Sequence, residues 1–314
     1  MLLSNSFLFQ THRMKYNTVL FLLLLTAMSC TPKSDKTNIS TENKDQSQDF
    51  ELPPVQRCGH EVEASDYKDW TLIFEDNFDT DLSNWNAWES GAFNEELQYY
   101  QSKNLKLDNG LLYITAIREK ASGATDPFNN DQKNFDFTSG RIESKKHFGP
   151  DTTEGNQEVR FSARLRLVEG EGLWPAWWSY NDPWPTKGEI DILEARGNKP
   201  YEFQSCFHYG SKINVLETDA KFNEGHYKFE EKLTDCFHVY DLVWSQNQFQ
   251  IIFDGDVVKT YDVDTFEYVD DFFKMKHKLV LNLAVGGWFF DNYDVTKIAD
   301  QSQLVVDYVR VYQR

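Results

Sequence analysis

The chain has 314 residues, 40% of them hydrophobic, and carries 24 Phe, 15 Tyr and 9 Trp. That is enough apolar material for one large domain or two small ones, and far too many aromatics for a solvated coil. Its 32 basic and 50 acidic side chains leave a formal charge of -18, which repels a phosphate backbone and argues against nucleic acid as a partner.

Met14-Lys15-Tyr16 opens a short basic region, and Val19 to Met28 is an almost unbroken apolar run. About ten apolar residues are too few to cross a bilayer, which needs about 20, but they suit the core of an export signal. Met14 is then a more natural start than Met1. The run ends Thr26-Ala27-Met28-Ser29-Cys30, and a Cys behind a small residue resembles a bacterial lipoprotein cleavage site. A plain signal peptide with an incidental Cys is the alternative. Residues 1–29 are expected to be the lipoprotein-type signal and Cys30 the lipid anchor. The protein is thus expected to be exported and held at the bacterial outer membrane, touching membrane only through that anchor, or otherwise secreted. Residues 30–64 read as a polar tether, low in apolar content and carrying Pro53-Pro54 near its end.

From residue 65 to the end, strand signals dominate. Leu105 to Leu107 and Leu111 to Ile117 flank Asp108-Asn109-Gly110, a hairpin signal. Ser122 to Asn134 is rich in Gly, Asp and Asn and reads as a surface loop. Val159, Phe161, Ala163, Leu165 and Leu167 alternate with Arg160, Ser162, Arg164 and Arg166, the pattern of a half-buried strand. Phe249 to Phe253 leads into a second hairpin turn at Asp254-Gly255, and Val305 to Tyr312 alternates again. Long helical periodicity is absent. The fold class is therefore all-β, an antiparallel sandwich or barrel. Of the cysteines outside the leader, Cys58, Cys206 and Cys236, one pair can form a disulfide in an exported protein. Cys206–Cys236 is one such pairing, and sequence alone does not choose among them.

The segment Glu189-Ile190-Asp191-Ile192-Leu193-Glu194 carries the chemistry. In a strand, Glu189 and Asp191 share one face while Ile190 and Ile192 take the other. Glu194 falls on the wrong face unless one extra residue, a β-bulge between Asp191 and Glu194, restores it. Three carboxylates would then stand in a row and repel, so at least one should hold a proton near neutral pH. A proton-bearing acid beside an ionised carboxylate is what cleavage of a glycosidic bond requires. An exposed strand also alternates acids with aliphatics. Here, however, Trp174, Trp177, Trp178 and Trp184 lie just upstream, and flat aromatic rings suit the C–H faces of sugars.

At this point the sequence resembles glycoside hydrolase family 16, and within it the laminarinase-like endo-β-1,3-glucanases. The resemblance covers roughly residues 70–313. It is carried by Asn94 to Tyr100, Thr138-Ser139-Gly140-Arg141, Gly172 to Trp178, Trp184 to Glu194, Phe237 to Tyr240, Asn282 to Gly287 and Val306 to Tyr312, in that order. The resemblance implies a β-jelly-roll sandwich of two antiparallel sheets with a concave sugar-binding cleft, and a retaining double displacement without a catalytic cofactor. By motif match Glu189 would be the nucleophile, Glu194 the general acid and then base, and Asp191 the residue tuning the proton between them. Asn94, Arg141, Trp174, Trp178, Trp184 and His208 would contact substrate, with a purely structural histidine as the alternative for His208. The six-residue acidic motif resembles that of laminarinases, agarases and carrageenases rather than the five-residue form of lichenases. Glu95, Trp177 and Ser179 depart from the usual residues.

Asp307 shares a strand face with Val305, Val309 and Val311 and so reads as a lone acid on an apolar face, which needs a partner. The resemblance implies a structural calcium there, held by Asp307 and backbone carbonyls; an Asp capping the backbone is the alternative. The expected substrate is a β-glucan and the expected state a monomer. Hydrolysis of mixed-linkage glucan, agar or another galactan is the rival activity. A catalytically dead glucan-binding protein is the rival class, against which the presence of both Glu189 and Glu194 counts.

Overall fold

Alternating apolar and polar residues make each strand apolar on one face, and such faces must bury each other. The computed structural model describes residue 52 and residues 55–62, 67–150, 157–218, 225–272 and 275–314. The export signal and Cys30 lie outside these residues, as does most of the expected tether. Two large sheets result. The larger has ten strands, with Val159–Arg166 and Gln301–Gln313 at its centre. The smaller has seven, in the order Gly225–Lys228, Glu202–His208, Glu189–Glu194, Leu173–Tyr180, Lys278–Val285, Arg141–Ser144 and Trp85–Ala87. Among the described strands, pairing is antiparallel except between Gln98–Tyr100 and Phe137–Ser139.

One continuous core lies between the sheets. Phe161, Leu165, Leu242, Trp244, Val306 and Val309 face it from the larger sheet, and Ile142, Trp177, Ile190, Phe207, Leu281 and Leu283 from the smaller. Residues 122–134 are not the plain loop expected from their polarity. Ala121–Asp126 and Asn129–Phe135 pair as a hairpin that belongs to neither sheet. Backbone pairing supplies the hydrogen bonds that its polar side chains leave unspecified.

The polar face of Val159–Arg166 also departs from expectation. Arg160 and Arg164 are buried rather than solvated, because the Tyr67 ring lies 4.3 Å from the Arg160 guanidinium and the carbonyls of Cys58 and His60 lie against Arg164. Arg160 pairs with the buried Asp241. Arg164 donates to Asp307 Oδ2 at 2.6 Å and to the carbonyl of His60 at 2.8 Å. Cys58 is bonded to Cys236, and Cys206 is buried outside any disulfide, so a Cys206–Cys236 bridge is excluded. Residues expected to be tether thus contribute contacts to the folded unit.

A bulge revises the reading of Asp307. In Gln301–Gln313, Tyr308 lies opposite Arg164 and Val306 opposite Leu165, which leaves Asp307 as the inserted residue. Val309 and Val311 therefore turn into the core, away from the face of Asp307. The acid is not alone: Arg57 Nη1 donates to its Oδ1 at 2.7 Å while Arg164 takes Oδ2. Arg57 also donates to the carbonyls of Asn109 and Gly110. Both carboxylate oxygens and the nearby carbonyls are thus satisfied by guanidinium groups, and a divalent ion beside two such charges does not fit.

Two outcomes follow. Cys58→Ser should cost about 2–5 kcal/mol of stability, as is typical for loss of a native disulfide, read as a lower Tm in the absence of reductant. Added calcium should leave the Tm of the unaltered protein where it is; a clear rise would show that a cation displaces Arg57.

Candidate active site

The acidic motif forms the strand Glu189–Glu194, third in the smaller sheet. Against its neighbour, Asp191 pairs with Cys206 and Glu194 with Gln204. Three steps along one strand match two along the other, so one residue is inserted, as the spacing predicts. Ile192 and Leu193 are both fully buried, and Glu194 returns to the face of Glu189 and Asp191. All three carboxylates line the cleft.

Each glutamate is held by a tryptophan. Trp184 Nε1 donates to Glu189 Oε2 at 2.8 Å, and Trp174 Nε1 donates to Glu194 Oε1 at 3.0 Å. The Gln204 amide reaches Glu194 Oε2 at 3.4 Å. His208 Nε2 lies 3.4 Å from Asp191 Oδ2 and 3.8 Å from Glu189 Oε1, so this histidine does sit among the carboxylates. Burial, then the charges of Glu189 and Glu194, push the Asp191 carboxyl well above its usual range. Burial, then the charge of Glu189, lifts Glu194 to about 7, although the bond from Trp174 pulls against the shift. The site therefore keeps a proton on the acidic face near neutrality.

The tryptophans expected to be stacking surface divide. Trp174 and Trp178 point into the cleft with Trp184, whereas Trp177 is fully buried in the core. Strand periodicity requires this, since Trp174, Ala176, Trp178 and Tyr180 share one face and Trp177 takes the other. Trp174 is itself stacked on Phe289 at 4.3 Å, and Trp178 Nε1 donates to Asn282 Oδ1 at 2.7 Å. Arg141 reaches the cleft wall, but its guanidinium lies 3.6 Å above the Trp88 ring and pairs with Glu143 at 2.6 Å. It supports the wall, and its charge is already matched. Asn94 lines the cleft in a left-handed conformation, its carbonyl accepting from Trp288 N at 2.9 Å.

The structure adds residues not singled out from sequence: Trp88, Phe93, Glu96, Tyr100, Phe128 and Asn282. Glu96, Tyr100 and Asn282 lie within segments already marked by the resemblance, so the signal was present. Glu96 is buried and pushed up to about 6 by that burial, with Gln98, Arg141 and Tyr100 opposing the shift. Among the described residues, Asp191, Cys206 and His208 bring ligand-type atoms within 4.8 Å of one another. They are the group with the donor set for a metal ion.

This geometry has counterparts in known proteins. A family model described as glycosyl hydrolases family 16 matches residues 84–310. The chain belongs to that family. A glucan endo-1,3-beta-glucosidase from Cryptopygus antarcticus is 30% identical over 244 residues, 70% of this chain and 82% of the relative. Glucan endo-1,3-beta-glucosidase A1 from Niallia circulans is 30% identical over 277 residues, 77% of this chain. The match takes in 38% of that relative's length. The structure of endo-β-1,3-glucanase from Pyrococcus furiosus superposes with a TM-score of 0.64 at 30% identity, covering 78% of this chain and 94% of that one. Like other family 16 members, the chain is a glycoside hydrolase of jelly-roll fold.

A family 16 site that needs Glu194 protonated should lose kcat/KM as pH rises through about 7. Trp174→Phe removes a donor that favours the ionised form, so the alkaline limb should move to higher pH. A limb that stays in place would show that Trp174 does not tune this acid.

Proposed function

We propose that this protein is an endo-acting hydrolase of laminarin-type β-1,3-glucan that works with retention of anomeric configuration. The observation that carries the reading is the bulged strand, with an acid titrating at about 7 on the same face as Glu189 and with Asp191 between them. In this reading Glu189 attacks the anomeric carbon while Glu194 gives its proton to the departing glycosidic oxygen. A glycosyl ester on Glu189 forms and the leaving chain departs as an alcohol. Glu194, now ionised, takes a proton from water; the resulting hydroxide attacks the anomeric carbon and frees Glu189. The carboxyl of Asp191 holds its proton between the two glutamates and limits their repulsion. Carboxyl groups alone complete the cycle.

The substrate class is supported by the relatives' names and by the charge of the cleft. Among the described residues lining it, Arg141 is the one Lys or Arg, and that charge is matched by Glu143. A sulfated galactan would therefore meet carboxylates without a compensating cation, whereas a neutral glucan meets flat rings and hydrogen-bonding groups.

Incubation with laminarin, mixed-linkage glucan, agarose and carrageenan, followed by assay of reducing ends, tests the substrate. Laminarin should be cut best, and no release from it would sink the assignment. The first product seen by proton NMR should be the β-anomer; an α-anomer would refute retention. Glu189→Ser should lower kcat by about 10⁴-fold while laminarin still binds, and surviving turnover would place the nucleophile elsewhere.

A further inference from the structure

The hairpin of Ala121–Asp126 and Asn129–Phe135 stands outside both sheets, yet it is mounted firmly. Gly91 N donates to the Ala124 carbonyl at 2.9 Å. A Cβ on Gly91 would meet the Thr125 carbonyl at 2.1 Å, and one on Gly123 would meet the Tyr99 ring at 2.4 Å. Such close approach is available only to glycine. Tyr99 packs on Phe135 with ring centroids 5.3 Å apart. What this support presents to solvent is Phe128, 83% exposed at the hairpin tip. A bulky apolar ring held out in water by a rigid mount suggests a surface made to be covered.

Its neighbours identify the occupant. The Phe128 ring stacks near Phe93, with centroids 6.0 Å apart and planes at 29°. Phe93 meets Trp88 edge-on at 6.4 Å, and Trp88 is joined through Arg141 to Trp178. All of these line the same cleft as Glu189, Asp191 and Glu194. A row of aromatic rings, bridged once by the Arg141 guanidinium, thus runs from beside the catalytic strand to the hairpin tip. A polymer lying in the cleft and longer than its central part would pass over Phe93 and Phe128.

We propose that Phe128, backed by Phe93, is a stacking platform for a sugar ring at the end of the cleft remote from the carboxylates. It makes affinity depend on the length of the chain. This rests on the reading of the cleft as a glucan site, and the platform is a determinant of substrate length, not a catalytic residue.

The test uses the full chain made inactive by Glu189→Ser, with and without Phe128→Ala or Phe128→Tyr. Calorimetry with laminari-oligosaccharides of increasing length reads the affinities. In the parent, affinity should climb with length. Phe128→Ala should erase the last part of that climb, weakening the longest ligands about tenfold, and Phe128→Tyr should restore it by returning a flat ring. Equal affinities with and without the ring at every length would overturn the proposal. So would an equal loss at every length, since that would mean Phe128 acts through the shape of the catalytic centre. Should no laminari-oligosaccharide bind either protein, the β-1,3-glucan reading falls instead. The platform is then judged by the same length series in mixed-linkage or agarose oligosaccharides, where absence of length dependence overturns it.

Discussion

Repulsion among three carboxylates on one strand face organises this site. A regular strand would place Glu194 in the core with Ile190 and Ile192, where an ionised group has no stable solution. The inserted residue turns Glu194 to the cleft and lets both Ile192 and Leu193 pack inside, so core burial and acidic alignment are served by the same bulge. The crowding that results raises Asp191 and Glu194. Trp174 and Trp184, each with its indole N–H on a glutamate, hold the carboxyl oxygens in place. The aromatic wall therefore does electrostatic as well as packing work.

A second bulge, at Asp307, governs the opposite face of the molecule. It returns Val309 and Val311 to the core and leaves an acid outside that meets Arg164 and Arg57. Arg164 is almost wholly buried by the segment around Cys58, and a buried guanidinium is tolerable only with partners of this kind. The disulfide to Cys236 fastens that segment down. In both sheets, then, an irregular residue separates a charged side chain from an apolar row that simple alternation would have mixed.

Aromatic residues serve both halves of the structure but answer to different demands. Trp177 and Trp244 fill space between the sheets, where volume matters. Trp88, Trp178 and Phe93 build a wall, where the orientation of a ring face matters. Arg141 ties two of these rings together while Glu143 cancels its charge. A cleft of this kind is lined by flat rings and acidic at its centre.

Much of this was legible in residue order. Period-2 alternation pointed to an antiparallel sandwich or barrel, and the spacing from Glu189 to Glu194 required a bulge if all three acids were to share a face, because side-chain direction in a strand is a local property of the backbone. Composition could not say which tryptophan faced sugar and which faced the core, although periodicity around Trp177 already held the answer. What residue order left open were the non-local facts. The partner of Cys58, the burial of Arg164, and the guanidinium cage around Asp307 depend on a segment folding back across more than a hundred residues. Phe128 looked like part of a polar loop until the hairpin brought it beside Phe93. Local pattern dictates which way a side chain points, but only tertiary packing decides what it meets there.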